Sequence, residues 1–290
     1  MGKASVGRQP RLRLGAVSYL NTKPLVFGLA ERAPQIEIVY DVPSRLADDL
    51  HAGRLDVALI PSIEYSRHPS FAQVSDACIG CRGPVLSVKL FSRKPLSAIR
   101  SLALDEGSRT SVLLAQILLW ERYRLRPRLS QLSIDGGPED TAADAVLLIG
   151  DRAIHPPQSG FVDCWDLGDQ WCRWSELPFV FALWVARPGV DLSGLDEILG
   201  QTRDAGADDG MVLLAALADH PDKARVQVDR HHLEPFRGRV LLQRRARSEQ
   251  RGVVQHSVQA AQGIHDSLVQ GLVTLVAGAL QVEQLDHGLR

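Results

Sequence analysis

Short apolar runs that each stop at a polar turn and a helix start recur through the first half of this chain. That rhythm limits the possible folds more than any other feature. Leu12, Leu14 and Val17 mark a strand that runs into Ser18-Tyr19-Leu20-Asn21-Thr22. A helix is expected to begin there, with Thr22 as N-cap and Pro24 in its first turn. Ile36–Tyr40 reads as a second strand. Pro43–Leu50 reads as a helix with Ser44 as N-cap and Gly53 near its C-terminal end. Val57–Ile60 is a short apolar run of the buried parallel type, stopping at Pro61-Ser62. This alternation predicts a parallel sheet with right-handed crossovers. Ligands of such sheets bind beyond the strands' carboxyl ends, so Ser18–Thr22 and Ser62 are expected on one rim. A strand, a polar turn and a helix N-terminus suit an anionic ligand; the same residues also serve as plain helix caps.

The middle of the chain repeats the pattern. Val85–Phe91 alternates, with Ser87 and Lys89 on one face and Val88 and Leu90 on the other. Ser101–Leu104 is another short strand, and Asp105–Ser111 leads into a helix that continues to Tyr123. Backbone N–H groups, the hydroxyls of Ser108 and Thr110 and the Arg109 guanidinium gather at that helix start, which is what a carboxylate or phosphate requires. The alternative is simple capping with Arg109 solvated. Ala145–Ile149 ends in Gly150-Asp151, a third rim turn. Leu177–Trp184, led by Pro178 and rich in aromatic and β-branched residues, reads as a strand returning to the first lobe. At 290 residues the chain exceeds the usual size of a single core. The expected organisation is a tail at 1–11, a first domain from 12–92 and 181–290, and an inserted second domain at 93–180. A ligand cleft between two lobes follows.

Composition excludes several classes. A net charge of −1 gives no sign of a nucleic-acid partner. No apolar run approaches the roughly 20 residues that span a bilayer. Residues 1–11 are basic and polar without an apolar signal-peptide core, so a cytoplasmic location is expected. Cys78-Ile79-Gly80-Cys81 has the spacing of metal and redox pairs, but Cys78 ends an apolar run where cysteine acts as a small hydrophobe. Cys164 and Cys172 are spaced too widely for a structural zinc site. The adjacent His231 and His232 would not share a face of a helix or strand.

The ordered stretches Val17–Leu25, Leu55–Tyr65, Gly83–Ser92, Ala103–Asp105, Ser108–Ser111, Leu148–Asp151, Asp166–Gly168 with Trp171, and Leu177–Trp184 resemble chorismate dehydratase of the futalosine route to menaquinone. The resemblance implies an α/β, two-lobed type II periplasmic-binding-protein-like fold. It also implies a hydro-lyase that converts chorismate to 3-(1-carboxyvinyloxy)benzoate without metal or cofactor. In the mechanism it implies, the substrate's enolpyruvyl carboxylate is the internal base and Asn21 assists as the catalytic residue. Ser108, Arg109 and Thr110 would hold one carboxylate, or Arg109 would brace its loop through Asp105. Ser18, Ser62 and Ser87 would meet the ring hydroxyl or the second carboxylate, with Tyr19 in the same substrate-binding set. Asp151 would polarise the leaving hydroxyl or cap the next helix.

Two other functions fit the same fold. One is non-catalytic binding of a small carboxylate; the other is a dihydroxynaphthoate synthase, whose Ser-Pro-Cys-Pro-Asn opening is absent here. A regulator's sensing domain would need a helix-turn-helix segment, and none is evident. Asp191–Ala205 predicts a helix, with Leu192, Leu195, Ile198 and Leu199 at helical spacing. Lys223–Arg251 is instead dense in Arg, His and Gln. Gly252–Val282 carries a weak apolar pattern interrupted by Gly263, Gly271 and Gly278.

Overall fold

The computed structural model describes residues 11–154 and 160–208. β1 (Leu12–Val17) and β2 (Ile36–Asp41) pair in parallel, in register from Leu12 opposite Ile36 to Val17 opposite Asp41. Between them lie a 3-10 helix, Leu20–Val26, and the short α1 (Leu29–Arg32). The chain continues through α2 (Pro43–His51), β3 (Val57–Pro61), α3 (Ser62–Arg67) and the long β4 (Ala72–Cys81). β3 is parallel to β1, and all of its residues are buried, as expected for an apolar run covered on both faces.

The second half of the fold repeats this plan with β5 (Val88–Ser92), β6 (Ser101–Asp105), α4 (Thr110–Tyr123), β7 (Arg128–Leu132), β8 (Ala145–Ile149), α5 (Asp151–Ile154), β9 (Asp163–Asp166) and α6 (Leu167–Ser175). β10 (Phe179–Ala186) then enters the first sheet, antiparallel to both β3 and β4. α7 (Leu195–Asp208) follows. Two five-stranded sheets result, in the orders β2-β1-β3-β10-β4 and β7-β6-β8-β5-β9. This is the expected two-lobed α/β arrangement.

Each lobe has its own core. Leu14, Leu46, Leu50, Leu59, Ile60 and Trp184 are fully buried in the first, and Leu90, Leu102, Leu114 and Leu118 in the second. Burying one such aliphatic side chain stabilises the fold by about 1.5–3 kcal/mol. One ionic node ties three strands of the first sheet. Asp56, just before β3, accepts from Arg13 of β1 at 2.9 Å and from Arg187, just after β10, at 2.7 Å. These partners hold the Asp56 carboxyl well below its ordinary value, the Arg13 hydrogen bond contributing most.

Three local expectations are corrected. Thr22 caps no helix: it is buried inside the 3-10 helix, whose N-cap position is Tyr19. Ser44 lies within α2, which starts at Pro43 with Val42 as N-cap and no side-chain cap. Pro43 fixes the helical φ and lacks the N–H that a cap would satisfy. The strand expected over Val85–Phe91 begins only at Val88. The Asp166 carboxylate takes the N–H groups of Val85 and Leu86 at 2.9 and 2.7 Å, and Leu86 sits at φ 65°. Those groups are therefore lost to a ladder. β5, placed in the first lobe by the expected boundary at residue 92, pairs with β8 and β9 of the second sheet. The change of lobe thus falls between β4 and β5.

The helix expected over Asp191–Ala205 is present only from Leu195, as α7, with residues 191–194 in a loop and turn before it. Most of the expected N-terminal tail, the basic run Lys223–Arg251, the segment Gly252–Val282, His231-His232 and the first-lobe assignment of residues 209–290 lie outside the described residues. Among the described residues, no helix is long and apolar enough to cross a membrane.

Candidate functional site

The carboxyl ends of β1 and β3 face the start of α4 and the end of β8 across a cleft of about 420 Å³, its solvent-open mouth included. Its apolar wall includes Val17, Ile79, Val88, Ile149 and Phe181. Its polar wall consists of Tyr19, Asn21, Ser87, Ser108, Thr110 and Ser111. No arginine, lysine, histidine or carboxylate is among the described lining residues. An anionic ligand would therefore be met by neutral donors and by the positive end of α4, a helix of 14 residues. The Ser108 hydroxyl already accepts from Ser111 N at 3.2 Å, which braces that helix start.

The two lobes meet around this cleft. Asn21 Nδ2 donates to Ser87 Oγ at 3.4 Å, and Ser62 Oγ lies 3.4 Å from Thr110 Oγ1. Both contacts are long for hydrogen bonds, so the Asn21 amide and the Ser87 and Thr110 hydroxyls keep much of their capacity for a ligand. Ser44 N donates to the Gly107 carbonyl at 3.1 Å. The Tyr19 hydroxyl is buried without a hydrogen-bond partner among the described residues. Burial first, then the Asp105 charge, pushes its pKa above the ordinary value, so it stays protonated as a donor.

The structure brings Tyr19, Asn21, Ser87, Ser108 and Thr110 of the expected set together at the cleft. Four others do not line it. Ser18 is exposed, and its N–H donates to the Asp41 carbonyl at 3.0 Å. Ser62 donates to the Val180 carbonyl at 2.7 Å. Arg109 is paired with Asp48 at 2.7 Å and Glu64 at 3.2 Å, so its charge is neutralised by the first lobe. It does not brace Asp105, whose ion-pair partner is Arg152 at 2.5 Å. Asp151 turns toward the backbone of Leu20, whose N–H it accepts at 3.0 Å. It caps a segment of the other lobe, not a helix of its own.

Sequence reasoning missed Ser111, Ile79 and Phe181 as lining residues. Ser111 was legible in the Ser108–Ser111 turn. Ile79 and Phe181 carry no chemical signal and reach the cleft only because β4 and β10 pair there. Burial pushes the Cys78 thiol up to about 12. Cys78 and Cys81 pack against different lobes' cores, and no group of three or more His, Cys, Asp or Glu among the described residues is placed to hold a metal.

A family model described as menaquinone biosynthesis matches residues 12–236. The chain is 34% identical to a chorismate dehydratase of Thermus thermophilus over an aligned length of 197 residues, with 60% of this chain and 69% of that one covered. Its fold is similar to the crystal structure of a protein from Archaeoglobus fulgidus, with a TM-score of 0.66, 15% identity, and coverage of 91% of this chain and 99% of that one. A looser likeness is to the periplasmic aliphatic sulphonate binding protein of Escherichia coli, at a TM-score of 0.48 and 17% identity over 72% of this chain and 77% of that one.

Proposed function

Because this chain belongs to the menaquinone-biosynthesis family, with a chorismate dehydratase among its relatives, we propose that it is a hydro-lyase acting on chorismate. The reaction removes the proton from the ring carbon bearing the enolpyruvyl ether and the hydroxyl from its neighbour. Both leave as one water, and the product is 3-(1-carboxyvinyloxy)benzoate. Aromatisation of the ring supplies the driving force.

The observation that carries this reading is the neutral polar wall facing an apolar one. A general acid–base enzyme places a titratable carboxylate, imidazole or amine at the reacting bond; the described lining here holds hydroxyls and one amide. That set suits a substrate that brings its own base. The Asn21 amide orients the enolpyruvyl carboxylate toward the ring proton by donating to it, without ionising itself. The start of α4, with Ser108, Thr110 and Ser111, receives the ring carboxylate. Tyr19 and Ser87 donate to the remaining oxygens. The protein contributes position and preorganised dipoles.

The test is kinetic. The wild type should form the aromatic product. Asn21→Ala should bind chorismate within about threefold of wild type while turning over at least about a hundredfold more slowly. Equal losses in binding and turnover would leave Asn21 as a binding residue only.

A further inference from the structure

The N–H of Leu20 opens the 3-10 helix that carries Asn21, and it has no acceptor within that helix. The residue at its N-cap position, Tyr19, makes no side-chain capping bond. The acceptor comes from the other lobe. Asp151, the first residue of α5, takes this N–H through Oδ1 at 3.0 Å, joining positions 131 residues apart. A charged acceptor makes this a stronger bond than one between neutral groups.

The contacts around it form one seam. The ring of Tyr19 lies directly on Gly150, where an added Cβ would sit 2.6 Å from Tyr19 Cδ1. Gly150 holds φ +63° and donates its N–H to the Ser87 carbonyl at 2.8 Å. Ser87 in turn receives the Asn21 amide. Tyr19, Leu20 and Asn21 thus each meet the second lobe, and Asp151 supplies the charged contact to their backbone.

We propose that Asp151 is a positioning residue for Asn21: by holding Leu20 N–H across the cleft, it fixes the peptide that aims the Asn21 amide. This rests on the dehydratase reading above. Asp151 does not touch substrate in this role. It sets the orientation of the group that does, and it ties that orientation to the juxtaposition of the two lobes.

The experiment compares wild type, Asp151→Ala, Asp151→Asn, Asn21→Ala and the double variant of Asn21→Ala with Asp151→Ala, all as the full chain. Asp151→Ala should lower kcat about 10- to 100-fold and leave KM within about threefold. Asp151→Asn keeps a side-chain carbonyl in place and should recover most of that loss. In the Asn21→Ala background, Asp151→Ala should cost less than about twofold, because the residue it aims is gone. Additive losses in the double variant, or a loss confined to KM, would overturn the proposal. A readout free of turnover accompanies these. The Leu20 amide of Asp151→Ala should exchange with solvent at least about tenfold faster than in wild type. If wild type leaves chorismate unchanged, the dehydratase reading falls; unchanged Leu20 exchange in Asp151→Ala overturns the proposal independently of turnover.

Discussion

At the scale of the residue, the charged side chains Arg109, Arg152 and Asp151 beside the cleft are already engaged. Arg109 meets Asp48 and Glu64, Arg152 meets Asp105, and Asp151 meets a backbone N–H. Asp105 is wholly buried, and that burial raises its pKa despite the neighbouring Arg152. What remains for a ligand is uncharged and directional. Asp56 shows the opposite balance, its carboxyl held below the ordinary 3.8 by Arg13 and Arg187. With the folded value below the unfolded one, its stabilisation is present above pH 3.8 and is lost as pH falls toward the folded value. Asp56→Asn should therefore be less stable than wild type at neutral pH, with the gap closing in acid. Denaturant midpoints measured from neutral pH down through pH 3 check this, and a gap independent of pH would refute it.

Asn21, Ser87 and Thr110 were legible as candidates because each sits at a strand or helix end on the rim. The fates of Arg109 and Asp151 were not legible. Their partners lie 61 and 131 positions away in sequence, and only the meeting of the lobes decides them. Ser18 looked equivalent to its neighbours, but the chain turns its side chain to solvent.

At the scale of the element, the 3-10 helix Leu20–Val26 is braced from two sides. Asp151 holds its start. α7 packs along it, so closely that a Cβ on Gly206 would lie 2.3 Å from the Pro24 carbonyl oxygen. α7 is itself pinned to β4 by Arg203 and Asp76 at 2.5 Å. Gly206→Ala must push backbone, since no flexible side chain stands in the way. It should lower kcat at least about tenfold and destabilise the chain by about 1–3 kcal/mol. Turnover together with thermal melting checks this, and wild-type activity would show that α7 does not support the segment that carries Asn21.

The elements best read from sequence were β3, β6, β8 and α4, whose apolar runs are bounded by turn residues. The start of β5 was misread because the Asp166 carboxylate captures the N–H groups that would have joined the ladder. Local pattern cannot report a competitor that far along the chain.

At the scale of the molecule, the site exists only because two sheets, each with its own core, present their rims to each other. The seam is held by a few polar contacts: Leu20 with Asp151, Ser44 with Gly107, and Arg109 with Asp48 and Glu64. The order of elements and the family resemblance foretold two lobes. The seam follows from how they dock. The same architecture would serve a protein that merely binds a carboxylate, so what separates the two functions is whether the bound molecule changes. The most direct measurement is to incubate the purified chain, stripped by a chelator, with chorismate and to follow the ring by absorbance and mass. Steady conversion to an aromatic product lighter by one water is expected, with full activity retained after chelation. Chorismate that binds the protein and is recovered unchanged would contradict it.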